Sequence, residues 1–195
     1  MLNKLFWKLK RVLQLILCFL KVKYVVLSSV GEIKIGNGTL IAPSTDLEVD
    51  ENGQFHIGED SRIHRFGKIA TLGGEIAIGS ETTIGDHATF LGNGQIKIGD
   101  RVMFADNTKI VAFQHQYENA HEPISKQPTT PAKVYIGDDS WIGINVTIVG
   151  DVEIGCHCVI AAGSVVTKSI PDFSVAAGIP AKVIKKYCSE LDNWR

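Results

Sequence analysis

Apolar residues recur at every sixth position along most of this chain, separated by small, polar or charged residues. A short fixed period is the signature of a solenoid, and a period of six is typical of a parallel β-helix. The pattern therefore predicts an all-β solenoid. The longest series consists of Ile136, Ile142, Ile148, Ile154, Ile160 and Val166, and four series of three precede it, starting at Ile35, Ile57, Ile78 and Ile98.

The residues around each apolar position also fit such a coil. The next residue is often Gly or Ala, and the residue four positions on is often small or β-branched, as at Thr82, Val102 and Ser164. Glycine at this density opposes helix and suits short strands joined by tight corners. Three sides of six residues make a coil of about 18 residues, with the apolar and small positions facing inward. The sequence predicts about six such coils.

The spacing has one long interruption. Between Ile110 and Ile136 the hexads stop, and the segment contains Pro123, Pro128 and Pro131. A long insertion without regular structure is unusual in a compact solenoid and is usually functional. We therefore predict an inserted loop over residues 113–133 and expect chemistry there.

The N-terminal segment differs from the rest of the chain. Residues 1–30 are predicted to form a basic apolar helix, residues 31–185 the β-helix domain and residues 186–195 a short C-terminal tail or helix. The apolar run Val12–Leu20 is too short to span a bilayer, which needs about 20 residues. Two interpretations remain open: residues 1–27 contact a membrane interface peripherally, or the helix caps the open first coil.

Charge and cysteine usage narrow the function classes. The net charge is −1, but six basic residues and no acidic residue lie within residues 1–31, which leaves the remainder at −7. An acidic body argues against nucleic-acid binding. Four scattered cysteines make no disulfide framework and indicate a reducing cytoplasm, with the inner face of the cytoplasmic membrane as the place of any peripheral contact. Cys158 falls at a small inward position and Cys156 points outward, so both are interpreted as structural and no metal site is predicted.

Three motifs carry a family resemblance over roughly residues 35–185. They are Ile136-Gly-Asp-Asp-Ser-Trp-Ile-Gly143, Ala161-Ala-Gly-Ser-Val-Val-Thr-Lys168 and Ala176-Ala-Gly-Ile-Pro-Ala-Lys182. Taken in order, they resemble the left-handed β-helix acetyltransferases, in particular the maltose, galactoside and nodulation-type branch that acetylates sugars. The resemblance implies left-handed coils, a homotrimer with active sites in clefts between neighbouring columns, and acetyl-CoA as co-substrate.

The resemblance also implies roles for single residues. His115, five residues after Ile110, matches the family's general base, which deprotonates the acceptor as it attacks the thioester. A histidine suits this role because an ordinary imidazole is largely neutral near pH 7. Trp141 matches a tryptophan beside the catalytic histidine, and His87 is a candidate for lining the acceptor pocket. The candidates for coenzyme A binding are Ala162, Thr167, Lys168, Lys182 and Lys185.

One position departs from the family pattern. Gly85 stands where several sugar acetyltransferases have an asparagine that supports the oxyanion and the acceptor. The backbone N–H of Gly85 or the side chain of His87 would then have to replace that asparagine.

These observations predict an acetyl-CoA-dependent O-acetyltransferase that acts on a sugar hydroxyl by direct transfer, the acceptor being a bacterial surface polysaccharide or its precursor. Three alternatives stay open. N-acetylation of an amino sugar or antibiotic belongs to the same class. A zinc-dependent γ-type carbonic anhydrase shares the β-helix but requires three histidines around the metal. A solenoid scaffold without activity is the third alternative.

Overall fold

A computed structural model describes residues 2–28 and 30–195 of the chain. One helix, α1 (Leu2–Ser28), is followed by a column of six coils that wind in the left-handed sense. The predicted helix is thus present, although Met1 and Ser29 of the predicted segment lie outside the described residues. The fold class predicted from the hexads and the resemblance is confirmed.

Each coil contributes three short strands, one to each face of a three-sided column. We name the faces A, B and C in the order in which the chain passes them, and each corner by the two faces that it joins. Coils 1 to 3 contain β1 (Glu32–Ile35), β2 (Leu40–Ile41), β3 (Asp46–Glu48), β4 (Gln54–Ile57), β5 (Arg62–Ile63), β6 (Lys68–Ala70), β7 (Glu75–Ile78), β8 (Thr83–Ile84) and β9 (Thr89–Leu91). Coil 4 and its inserted segment contain β10 (Gln95–Ile98), β11 (Met103–Phe104), β12 (Lys109–Val111), β13 (Phe113–His115), a 3₁₀ turn (Ile124–Lys126) and β14 (Thr129–Pro131). Coils 5 and 6 contain β15 (Lys133–Ile136), β16 (Trp141–Ile142), β17 (Thr147–Val149), β18 (Val152–Ile154), β19 (Val159–Ile160) and β20 (Val165–Val166), and the chain ends with β21 (Ser174–Gly178), β22 (Ala181–Cys188) and β23 (Asn193–Trp194).

The strands of each face stack in parallel register. Face A has the order β1-β4-β7-β10-β15-β18, face B begins β2-β5-β8-β11-β16-β19-β21, and face C has the order β3-β6-β9-β12-β17-β20. Neighbouring coils therefore pair residue by residue, for example Ile98 with Ile136 and Ile110 with Ile148. This register places each hexad residue directly above its counterpart in the next coil.

The hexad positions form the core as predicted. All of them except Ile35 and Leu47 are at most 5% exposed, and many are fully buried. Ile35 and Leu47 are half-buried because they belong to the first coil, which has no coil beyond it. The core also includes a second inward residue from most face A strands, such as Phe55, Ile76 and Val134, which the hexad pattern does not mark.

The small inward residues at the AB corner also form hydrogen bonds between coils. Ser61 is fully buried, and its Oγ donates to the Gly79 carbonyl at 2.9 Å and accepts from the Thr82 N–H at 3.1 Å. A buried hydroxyl bonded in both directions satisfies backbone groups that the turn leaves unpaired. These hydroxyls therefore link one coil to the next.

Cys158 occupies the same kind of position in coil 6. It is fully buried, and its Sγ donates to the Pro171 carbonyl at 3.1 Å. Burial raises the pKa of its thiol, which keeps the side chain neutral. The predicted inward placement of Cys158 is confirmed.

The inserted segment leaves the column at the CA corner and is more ordered than the sequence predicts. Ala112 and Ala132 are hydrogen bonded at its base, and β13 pairs with β14 in antiparallel register. Gln127 is buried within it, and its Nε2 donates to the carbonyls of Asn119 and Glu122 at 2.9 Å. The expectation of an insertion without regular structure is wrong, because its main-chain groups pair with one another.

The helix α1 packs against the first coil. Cys18 is buried, and Val22 contacts the hydrophobic core. Gln14, Leu15 and Cys18 form one wall of a cavity of about 300 Å³. Among the described residues, no helix combines the length and apolarity that crossing a bilayer requires.

The C-terminal residues form strands rather than the helix that was one of the two predicted outcomes. β21 continues face B in parallel with β19, and β22 then folds back antiparallel to it. β22 extends to Cys188 and pairs with β23, so residues 186–195 remain in strands and turns. This end of the column is covered by the chain's own backbone.

We predict that Ile110→Ala lowers the free energy of unfolding by about 3 kcal/mol, because it leaves a cavity in a close-packed core. Ile110 is fully buried between coils, whereas Ile144 is 45% exposed at a corner. Ile144→Ala is the control and should cost under about 0.5 kcal/mol. Urea titration followed by circular dichroism measures both, and equal losses would contradict this assignment of the core.

Candidate active site

His115 lies at the end of β13, on the hairpin that projects from the CA corner. It is exposed, it pairs across the hairpin with Thr129, and its ring meets the edge of the Phe113 ring at 6.0 Å between centroids. None of the hydrogen bonds or ion pairs found among the described residues involves its imidazole. Both ring nitrogens are therefore available to an incoming group.

Two of the coenzyme candidates share that edge of the column with His115. Thr167 and Lys168 follow β20 at the CA corner of coil 6, and both are exposed. The hairpin extends toward them, since a Cβ built on Gly150 of the intervening coil would lie 3.0 Å from Gln114 Nε2. Two coil steps separate the base of the hairpin from Thr167, which is about 10 Å along the axis.

Trp141 lies on a different side of the column. It is the outward residue of β16 on face B and is 51% exposed. Met103 of β11 is its register partner in the preceding coil and is 55% exposed. Together they make a flat apolar surface at the centre of face B.

Gly85 and His87 lie at the BC corner, where the chain turns from β8 to β9. The N–H of Gly85 donates to the Phe104 carbonyl at 3.0 Å as part of the ladder between coils. It is therefore not available as an oxyanion donor, and that half of the expectation is wrong. The ring of His87 stacks on Phe66 at 5.1 Å, and its imidazole remains the candidate donor at this corner.

Asp86 lies between these two residues and forms an ion pair with Arg65. Its carboxylate accepts the backbone N–H of Arg65 at 2.9 Å and pairs with the guanidinium at 2.6 Å. These hydrogen bonds hold the pKa of Asp86 below its ordinary value, so the group is a carboxylate at neutral pH. Asp86 thus stabilises the corner and is unsuited to act as an acid.

The other coenzyme candidates lie near the BC corner and on the C-terminal strands. Ala162 is exposed in the turn after β19, and Lys182 and Lys185 are exposed on β22. Lys182 pairs with Ala177, next to Ala176, which pairs with Ile160 of β19, so Lys182 lies two strands, about 10 Å, from the end of β19 that Ala162 follows. Lys185 pairs with Val175, further toward the AB corner.

The predicted residues therefore form two groups on different sides of one chain. His115, Thr167 and Lys168 lie along the CA corner. Trp141 lies on face B, and Gly85, His87, Ala162, Lys182 and Lys185 lie on face B or its corners. In a three-sided column each corner is opposite one face, and the CA corner is opposite face B, so a single chain does not bring His115 and Trp141 together.

Some residues of these surfaces were not predicted from the sequence. Met103 directly precedes its hexad residue, as Trp141 does, and this shared position could have identified it. Asn107 and Asn145 occupy the corner position of His87 in later coils, and their side-chain amides are hydrogen bonded at 2.5 Å. Among the described residues, no group of three or more metal-ligating side chains is close enough together to hold an ion.

Comparison with known proteins identifies the family. The family described as bacterial transferase hexapeptide (six repeats) matches residues 133–168. A probable acetyltransferase of Mycobacterium tuberculosis is 35% identical over 80% of this chain, which spans 50% of that protein. An Escherichia coli protein, named for O-acetyl transfer in lipopolysaccharide biosynthesis, is 30% identical over 76% of this chain and 77% of its own length.

A solved structure gives the same result. The hexapeptide-repeat-containing acetyltransferase of Vibrio cholerae, complexed with acetyl coenzyme A, is 26% identical with a TM-score of 0.55. The alignment covers 77% of this chain and 69% of that one. The chain thus covers only part of some relatives and most of others.

We predict that Gly85→Ala lowers the free energy of unfolding by about 2 kcal/mol, because the corner of the next coil leaves no room for a side chain. A Cβ there would lie 2.6 Å from Asp106 Oδ1 and 2.7 Å from the Ala105 backbone. At Gly67, in the preceding coil's BC corner, the nearest atom would be 3.5 Å away. Gly67→Ala is therefore the control and should change stability by less than about 0.5 kcal/mol. Thermal unfolding compares the two, and an unchanged Gly85→Ala protein would refute the crowding at this corner.

Proposed function

We propose, because this chain belongs to the bacterial transferase hexapeptide family, that it transfers an acetyl group from acetyl-CoA to a hydroxyl group of a sugar. The observation that carries the proposal is the exposed, unpartnered imidazole of His115 on the same edge as Thr167 and Lys168. The names of the relatives support acetyl transfer, and the acetyl coenzyme A bound to the Vibrio cholerae protein supports this donor.

In the proposed reaction His115 acts as general base. Its neutral ring nitrogen accepts the proton of the acceptor hydroxyl while the oxygen attacks the thioester carbonyl carbon. The tetrahedral intermediate then collapses, the carbon–sulfur bond breaks, and the imidazolium returns the proton to the departing thiolate. Acetyl ester and coenzyme A are the products, and no acyl-enzyme is required.

The donor is proposed to lie between two copies of the chain, along the CA corner of one and the BC corner and C-terminal strands of the other. Thr167 and the backbone of Ala162 would contact the pantetheine arm, and Lys168, Lys182 and Lys185 are candidates for its phosphates. A lysine supplies a compact positive charge to a phosphate without demanding one geometry. No ion pair of these three lysines is found among the described residues, so their charges are open to a ligand.

The complete site is proposed to form between copies of the chain in a homotrimer. His115 and Trp141 lie on different sides of one column, and a flat face needs a second wall to enclose a small molecule. A cyclic arrangement would set the CA corner of one copy against face B of the next. Trp141, Met103 and His87 would then line the acceptor pocket opposite His115, with the His87 imidazole as a donor to the oxyanion.

The acceptor is proposed to be a unit of a bacterial surface polysaccharide or its precursor. The name of the Escherichia coli relative supports this class. Peripheral contact of α1 with a membrane would bring the site close to a lipid-linked glycan. Stoichiometric zinc in the pure protein would contradict this proposal and favour a hydratase.

We predict that His115→Ala lowers kcat by at least about 100-fold, because removal of a general base costs that much or more. His121→Ala is the matched control, since His121 is an exposed histidine of the same insertion, and it should retain most of the activity. Release of coenzyme A thiol with a panel of sugars measures both. Equal rates for His115→Ala and the parent would remove His115 from this role.

A further inference from the structure

The outward face of α1 is apolar from Leu9 to Leu20. Leu9, Ile16 and Leu20 are 68%, 50% and 52% exposed. Leu9 lies nine residues from the buried Cys18, and Ile16 and Leu20 each lie two residues from it. At 3.6 residues per turn, these separations place all three about half a turn from Cys18, on the opposite side of the helix. The face opposite the column is therefore a continuous strip of large apolar side chains.

This strip is wider than a contact between two helices requires. Val12, Leu13, Leu17 and Phe19 are also 44–68% exposed. With the first three they cover about half of the helix circumference, whereas the seam between two paired helices is narrower. A broad apolar face is covered more completely by the hydrocarbon of a lipid bilayer than by one partner helix.

The charges of α1 are all positive. The segment 1–31 contains Lys4, Lys8, Lys10, Arg11, Lys21 and Lys23 and no acidic residue. Lys21 lies three residues from Cys18, about a sixth of a turn from it. It borders the apolar strip, where its long side chain can extend to lipid phosphates while the strip is inserted.

The column beside α1 adds one further cation. The second wall of the cavity under α1 includes Arg62, His64 and Arg65. Arg65 and His64 face Asp86, whereas none of the ion pairs found among the described residues involves Arg62. The rest of the chain carries a net −7, so an anionic surface attracts α1 and repels the body.

From these observations we propose that the outward face of α1 binds the surface of a bilayer that contains anionic phospholipids. The helix lies in the interface with its apolar strip inserted and its cations at the headgroups. Its inner face stays on the first coil, so the column is held beside the membrane. This inference concerns a binding surface, and it does not depend on the proposed acetyl transfer.

Binding to sucrose-loaded vesicles of the full chain tests the proposal, without acetyl-CoA or sugar. We expect sedimentation with vesicles containing phosphatidylglycerol and weak or no binding to phosphatidylcholine vesicles, and we expect added salt to weaken the binding. Sedimentation with neither vesicle overturns the proposal. Because no reaction is measured, that result leaves the proposed activity untouched.

Two matched pairs of variants locate the contact. Leu20→Gln should weaken binding about tenfold, because it removes one inserted apolar side chain. Leu191→Gln changes a leucine of similar exposure, 50% against 52%, at the far end of the chain and should not weaken it. Lys21→Gln should weaken binding about fivefold, and Lys186→Gln, an exposed lysine of β22, should have no effect.

Other occupants of the strip give different results. If a second copy of the chain covers it, Leu20→Gln changes the oligomer mass in sedimentation velocity and leaves vesicle binding unaltered. If each variant and its control lose binding equally, the contact is a general property of the surface. Either result contradicts the proposal, and the circular dichroism spectrum of each variant verifies that it is folded.

Discussion

The structure depends on the register in which one coil hydrogen bonds to the next. Each strand of one or two inward residues pairs with its counterpart about 4.8 Å away, and the corner turns pair as well. Such a column tolerates only an apolar residue at the hexad position and a small one at the inward corner position. It also makes three flat outer faces with little concavity. A small molecule on such a face therefore needs a second wall, which in our proposal comes from the inserted hairpin of another copy.

The hexads were sufficient to predict the coils, because every coil buries a residue at each sixth position and the sequence therefore repeats with that period. The same pattern did not show that the hairpin leaves at the CA corner, opposite the face that carries Trp141. Nor did it show that the Gly85 N–H is bonded to Phe104, since that depends on pairing between residues distant in sequence. The second inward residues of face A, such as Ile76, were missed because four-residue strands depart from the strict hexad.

The helix α1 packs on the first coil with one side and exposes the other. Cys18 is buried and Val22 contacts the hydrophobic core. The exposed side carries large apolar residues, and the segment contains no acidic residue. A helix can hold a packing contact and a binding surface at once because its two sides are half a turn apart. With the membrane binding proposed for α1, the basic helix and the acidic column would orient the molecule at an anionic surface.

The central claim is that the catalytic site combines His115 of one copy with face B of another. Co-expression of His115→Ala and Trp141→Ala chains carrying different tags, followed by purification on both tags, gives mixed oligomers that test it most directly. In a cyclic trimer that contains both variants one site in three has both residues intact, so we expect about a third of the parent's activity. Mixed oligomers no more active than either variant alone would contradict a site shared between chains.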